Sequence, residues 1–271
     1  MALTKKSQPI GIFDSGIGGL TVAHAITELL PEEQLIYFGD TAHLPYGDKS
    51  TAAIQAYAIK ICDLLIRQNC KIILIACNSA SAAAYDLVRE YVGSKARVLN
   101  VIDPIVEYVG KTYPGKNVGL IGTKQTVNSN VYRKKIDDLD LGIMLHSLAT
   151  PLLAPMIEEG FFNNTISESV IANYLSDPEL TDIEALILGC THYPLIKKQI
   201  DAFYGGRVDV LDASALVAEH VRAFLQLHNL ASDQLKKDHH FYVSDFTSSF
   251  EESTRIFFER QVHLEHYPLW E

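Results

Sequence analysis

The sequence predicts an α/β protein made of two pseudo-symmetric, mainly parallel-sheet domains with a site in the cleft between them. Three observations predict it. Short apolar runs alternate with longer segments whose apolar residues recur at threes and fours, the order of strands and crossover helices in a parallel sheet. The chain has 271 residues, 48% of them apolar, enough to form two domains of ordinary size. A weak internal repeat places matching strand-and-turn segments in each half.

Taken in order, the first strand spans 10–13 and ends in Asp14-Ser15-Gly16-Ile17-Gly18-Gly19, which opens a helical stretch over 20–30. The glycine spacing is not G-x-G-x-x-G, and an acidic residue ahead of the first glycine would repel a pyrophosphate. The motif therefore reads as a tight turn, with Asp14 suited to a substrate ammonium or a neighbouring thiol proton. A strand over 34–38 leads into Gly39-Asp40 and the loop His43-Leu44-Pro45-Tyr46-Gly47, which is turn chemistry first and a candidate site wall second. A helix over 51–68, a strand over 72–76, a helix over 81–92 and a strand over 97–102 come next. Strands are then expected at 118–121, 142–147, 185–188, 208–211 and 240–243. Residues 1–99 with 208–271 form the expected first, discontinuous domain and 100–207 the second, with crossovers at 100–104 and near 205–206 that can hinge.

The repeat pairs Ile10-Gly-Ile-Phe-Asp14-Ser15-Gly16 with Val118-Gly-Leu-Ile-Gly122-Thr123-Lys124, and Ile73-Leu-Ile-Ala-Cys77-Asn78-Ser79 with Leu186-Ile-Leu-Gly-Cys190-Thr191-His192. Asp14 and Cys77 are 63 positions apart, Thr123 and Cys190 67. Each half thus carries one cysteine at the carboxyl end of a strand, where ligands of parallel sheets bind. Both cysteines precede segments that read as helix starts, Thr191 as a capping residue and Pro194 in a first turn. Unpaired N–H groups and the helix dipole favour an anion there, so both thiols are expected to be lowered from the ordinary value of ~8.5.

Two opposed thiols suit a reaction that takes a proton from one face of a carbon and returns one to the other. One acts as thiolate base, the other as acid, and their roles exchange with direction. His192, two residues from Cys190, is placed to share its proton. Cys62 and Cys70 lie on or just after a helical segment without polar followers and read as buried core thiols. His43, His146, His239 and His240 read as structural or solvated, and no histidine groups with carboxylates at metal-ligand spacing, so no metal is assigned.

The formal charge of −10 argues against non-specific nucleic-acid binding, which needs clustered Lys and Arg, while leaving room for a small basic pocket. Residues 1–9 are polar and do not read as a signal peptide, and no run approaches the ~18 apolar residues of a membrane helix. The four cysteines lack zinc spacing and are expected as reduced thiols in the cytoplasm.

Five segments resemble the glutamate racemases of the aspartate/glutamate racemase superfamily: Phe13-Asp-Ser-Gly-Ile-Gly-Gly-Leu-Thr-Val22, Tyr37-Phe-Gly-Asp-Thr41, Leu44-Pro-Tyr-Gly47, Ile75-Ala-Cys-Asn-Ser-Ala80 and Leu188-Gly-Cys-Thr-His-Tyr-Pro194. They run in the family's order over most of the chain. The resemblance implies two pseudo-symmetric α/β domains, no cofactor (pyridoxal phosphate included), glutamate as substrate and a supply of D-glutamate for peptidoglycan. It implies that Cys77 acts on D-glutamate and Cys190 on L-glutamate, assisted by Asp14 and His192 respectively. Asp14-Ser15, Tyr46-Gly47, Asn78-Ser79 and Thr191-His192 match its substrate-contacting pairs, with Thr123 as a further contact. Glu158 resembles a carboxylate near the second cysteine, with Glu159 beside it as the alternative. Ser79 stands where the family more often has Thr, which keeps the hydroxyl and loses a methyl. A homodimer and a peptidoglycan precursor as activator are compatible with the resemblance.

Three other functions fit part of the pattern. Another amino acid, such as aspartate, could be the substrate. A cysteine-nucleophile hydrolase or amidotransferase would need one Cys with its His and leave the other Cys dispensable. A two-domain small-molecule binding protein would need neither thiol.

Overall fold

The computed structural model describes residues 5–233, 238–246 and 248–271. Its strands, in chain order, are β1 Ile10–Asp14, β2 Leu35–Gly39, β3 Ile72–Ile75, β4 Arg97–Asn100, β5 Asn117–Gly122, β6 Met144–Ala149, β7 Ala185–Gly189, β8 Asp209–Leu211, β9 His240–Val243 and β10 Glu265–His266. The helices are α1 Leu20–Leu29, α2 Thr51–Arg67, α3 Asn78–Val92, α4 Ile102–Thr112, α5 Lys124–Asn128, α6 Val131–Asp137, α7 Leu153–Glu158, α8 Thr165–Leu175, α9 Lys197–Tyr204, α10 Ala213–Leu227 and α11 Ser248–Phe258. Among the described residues no helix is long and apolar enough to cross a membrane.

The strands are apolar throughout because both faces of each sheet are covered. Successive side chains leave a strand on opposite sides, so neighbours enter different cores. Ile72 and Leu74 of β3 join one hydrophobic cluster and Ile73 and Ile75 another. In β7, Leu186 and Leu188 join the first of these clusters, while Ala185 and Ile187 join a third. The first cluster is continuous from Ile12 of β1 to Leu186 and Leu188 of β7, so apolar packing runs from one sheet to the other.

The first sheet has the order β10-β9-β2-β1-β3-β4, the second β6-β5-β7-β8, and every pairing is parallel. Without β9 and β10 the two orders are equivalent: β1 and β3 are neighbours in one sheet as β5 and β7 are in the other. The repeat visible in the sequence joins these same strands. Strand 208–211, expected from the sequence to belong with the returning segment, instead pairs with β7 in the second sheet. The return is made by α10, which packs on α1 and α4, and by β9, which pairs with β2.

Other differences have local causes. The strand expected over 97–102 stops at Asn100, whose side-chain oxygen accepts from the backbone N–H groups of Ile102 (2.8 Å) and Asp103 (2.9 Å) and so starts α4. The strand expected at 142 begins only at Met144, because Gly142 turns the chain at φ +66°. Helix α3 begins at Asn78 rather than 81, since the Cys77 sulfur itself accepts from the Ala80 N–H at 3.4 Å. Strand β10 is two residues long and carries no apolar run to announce it.

Candidate active site

The ends of β1, β3, β5 and β7 meet at one narrow cleft, nearly closed, with about 20 Å³ of free volume. Ser15, Tyr46, Gly47, Cys77, Asn78, Ser79, Thr123, Glu158, Cys190, Thr191 and His192 all line it, so the sequence-predicted site residues are brought together with one exception. Pro45, Ala154 and Gly189 complete the lining; Pro45 belongs to the loop that the sequence offers as a site wall and Gly189 directly precedes Cys190, while nothing in the local sequence marks Ala154. The exception is Asp14, which is wholly buried behind Ser15. Its Oδ1 accepts from the Gly16 N–H at 3.0 Å and its Oδ2 from the Thr191 hydroxyl at 3.4 Å, so it ties the first sheet to the loop that carries Cys190. Burial raises its pKa above the ordinary carboxylate value, against the lowering by His192.

Cys77 and Cys190 stand at equivalent strand ends, β3 and β7, and face the same space. The Cys77 thiol donates to Ser15 Oγ at 3.7 Å. The sequence predicts a lowered thiol pKa from its place at a helix start, and the structure reverses this. Burial pushes Cys77 up to about 12, the negative charge of Asp14 adds to that, and the Ala80 N–H and Ser15 hydroxyl only partly offset it. Desolvation outweighs the helix terminus here. A second correction concerns Thr191. The residues after Cys190 form a short 3-10 turn, Tyr193–Ile196, with His192 as its leading residue, so Thr191 does not cap and its hydroxyl is spent on Asp14.

His192 is buried between two partners. Its Nδ1 is 3.6 Å from Cys190 Sγ, and its Nε2 lies 2.9 Å from Glu158 Oε1 as an ion pair rather than an aligned hydrogen bond. Burial alone would lower the imidazolium pKa, but Cys190 and Glu158 outweigh it and hold the value well above the ordinary 6.5. Of the two adjacent acids it is Glu158 that reaches the histidine, while Glu159 is exposed.

Further contacts join the two sheets around the cleft. Ser79 and Thr123 hydroxyls are 2.8 Å apart, and the Tyr132 hydroxyl donates to Asn78 Oδ1 at 2.7 Å. Gly47 and Thr123 pack so closely that a Cβ on residue 47 would stand 2.8 Å from the Thr123 Cβ. Tyr132 carries no sequence signal, because it lies 54 positions from its partner. Cys62 and Cys70 are buried in the first unit away from the cleft, and burial raises both thiols, Cys70 to about 12.

A family model described as Asp/Glu/hydantoin racemase matches residues 18–221. The chain belongs to that family. This family member is 38% identical over 250 residues to a glutamate racemase of Chlorobaculum parvum, an alignment covering 92% of each chain. It is 35% identical over 265 residues to a glutamate racemase of Streptococcus pneumoniae, covering 97% of this chain and 99% of the relative. Its structure is similar to that of the Francisella tularensis glutamate racemase in complex with D-glutamate, with TM-score 0.92, 39% identity and 98% and 99% of the two chains covered. The expected architecture of two mainly parallel α/β sheets is thus shared with solved glutamate racemases.

Proposed function

We propose that this chain is a cofactor-independent glutamate racemase that interconverts L- and D-glutamate by two-thiol acid–base chemistry and supplies D-glutamate for peptidoglycan synthesis in the cytoplasm. The single observation that carries the reading is that Cys77 and Cys190, at matching strand ends of two equivalent sheets, line one cleft.

In each direction one sulfur, as thiolate, takes the proton from Cα, and the other, as thiol, returns a proton to the opposite face. The protonation states of the pair are exchanged at the end of the turnover. Cys77 acts on D-glutamate and Cys190 on L-glutamate. Burial of Cys77 makes its thiolate scarce but strongly basic toward a weak carbon acid. His192, 3.6 Å from Cys190 and held cationic by Cys190 and Glu158, holds or releases the proton of that sulfur. Asp14 acts through the Gly16 N–H and the Thr191 hydroxyl, from behind the cleft wall. The hydroxyl, amide and backbone groups of Ser15, Tyr46-Gly47, Asn78-Ser79, Thr123 and Thr191 offer the hydrogen bonds that a two-carboxylate amino acid requires.

The test is exchange in deuterium oxide followed by polarimetry, without pyridoxal phosphate. Wild type is expected to racemise glutamate with deuterium at Cα, and Cys77→Ser and Cys190→Ser each to lose ~10²–10⁴-fold in turnover. Full racemisation by either single variant would overturn the two-thiol scheme. A hydrolase would lose activity only with one of them, and a binding protein with neither. The same reading extends to a homodimer and to activation by a peptidoglycan precursor. Sedimentation and turnover with and without added precursor test these two.

A further inference from the structure

Asp40 is wholly buried at the end of β2, yet it does not line the cleft and no step of the two-thiol reaction uses it. Its carboxylate collects four side chains, two from the loop that follows it and two from the far end of the chain. Oδ2 accepts from the Tyr46 hydroxyl at 2.6 Å, and Oδ1 from the Ser244 hydroxyl and from Trp270 Nε1, both at 2.8 Å. His43 Nδ1 lies 3.0 Å from Oδ2. Charged acceptors make the stronger hydrogen bonds, and a buried carboxylate left without them is costly, so this group fixes what it holds.

What it holds is the cleft wall. Tyr46 and Gly47 line the cleft on one side of Cys77, and Gly47 rests against Thr123 of the second unit. The same wall is pinned across the gap by Lys124 Nζ to Asp48 Oδ1 at 3.2 Å and Gln125 Nε2 to Thr51 Oγ1 at 3.1 Å. From behind, Trp270 closes over the cluster. Its indole meets His43 edge-on at 4.5 Å, sits 5.5 Å from Tyr57, and carries Lys60 Nζ 4.7 Å above its ring. Tyr57 in turn is stacked on His43 at 4.0 Å and lies 5.7 Å from Tyr46. A mobile wall would leave the position of substrate relative to Cys77 loose, and small misplacements are expensive in such chemistry.

We propose that Asp40 and Trp270 are positioning residues for the reaction, a latch that sets the Tyr46-Gly47 wall against Thr123 and so fixes substrate beside Cys77. The proposal rests on the racemase reading for its substrate but not for its geometry. Trp270 is the only tryptophan of the chain, so its fluorescence reports this latch alone.

The experiment uses the full chain with Trp270→Phe, which keeps the ring and removes the N–H donor, and Asp40→Asn. Three readouts are taken: KM and kcat for both glutamate enantiomers, the rate of iodoacetamide alkylation of Cys77, and thermal unfolding. Trp270→Phe is expected to raise KM about tenfold with kcat within about threefold, to speed Cys77 alkylation several-fold, and to move the unfolding temperature little. Asp40→Asn should shift both in the same direction and further, and if it does not fold, Trp270→Phe decides. In wild type, added glutamate should change the indole fluorescence with a midpoint near KM, and Tyr46→Phe should abolish that change. Unaltered KM and alkylation in folded Trp270→Phe, or a fluorescence blind to glutamate in a wild type that turns it over, would overturn the latch. A wild type that does not racemise glutamate sinks the substrate assignment instead, and the alkylation rates then still test the latch.

Discussion

Glu158 Oε1 stands 2.9 Å from His192 Nε2, while the other nitrogen of that ring faces the Cys190 sulfur at 3.6 Å. The histidine is thus held between a thiol and an acid, and the two together raise its pKa. Glu158→Gln removes one of the two groups that raise the imidazolium pKa, so that pKa must fall. The alkaline limb of the kcat/KM profile for L-glutamate should move toward neutral pH, and turnover at pH 8 should drop about tenfold. The raised histidine also stabilises the fold. That stabilisation is complete below the unfolded value of ~6.5 and is lost as pH rises through the folded value. The stability gap between wild type and Glu158→Gln, read by urea unfolding, should therefore be larger at pH 6 than at alkaline pH. A gap that widens with pH would show that Glu158 does not help to charge His192.

Asp14 gives a prediction of opposite kind. After burial, its charge is the main reason the Cys77 thiol stands so high. Asp14→Asn keeps an acceptor for the Gly16 N–H and removes the charge, so the thiolate becomes easier to form. Alkylation of Cys77 followed against pH should show its midpoint displaced to lower pH, while D-glutamate turnover falls ~10²-fold as the sulfur becomes a weaker base in a disturbed loop. An unchanged alkylation profile would mean that Asp14 is neutral in the working protein.

The Ser79–Thr123 bridge predicts a stability effect. Ser79→Ala deletes a hydrogen bond of 2.8 Å between the two units. The expected loss is about 1 kcal/mol of unfolding free energy in urea, with a several-fold rise in KM. Ser79→Thr restores the hydroxyl and should recover most of both. If Ser79→Ala leaves KM unchanged, the bridge holds the fold and not the site.

Much of this site is legible in the sequence because its residues come directly after strand ends. A run such as 72–76 must be buried on both faces, and the next residue must emerge at a sheet edge, so Cys77 and Cys190 can be placed without coordinates. Asp14 ends β1 and Asp40 directly follows the neighbouring β2, so both carry the same signal and both lie in segments that the family resemblance marks; that Asp40 does not line the cleft is what the sequence hides. Everything decided by distance in space is hidden from the sequence. Asp40 meets Trp270 across 230 positions and Asn78 meets Tyr132 across 54, and neither pair shares a local pattern. The thiol pKa of Cys77 departs from its sequence expectation for a physical reason: the sequence shows the helix start but not the depth of burial, and burial is the larger effect.

Gly18 offers the most selective perturbation, because it lies in the first unit and touches the acid–base group of the second. A Cβ at residue 18 would stand 2.4 Å from His192 Cε1, 2.6 Å from its Nδ1 and 2.7 Å from Thr191 Oγ1. These distances are too short for any side chain, and the backbone there is not left-handed, so the glycine serves close approach rather than a special turn. Gly18→Ala must push the imidazole off Cys190 or part the two units. In the first case L-glutamate turnover falls ~10²-fold or more, and deuterium exchange into Cα from that face is lost, while exchange from the Cys77 face persists. In the second, both faces fail together and KM rises for both enantiomers. Exchange measured separately for each enantiomer separates these outcomes, and equal, undiminished exchange from both would show that His192 does not act at Cys190.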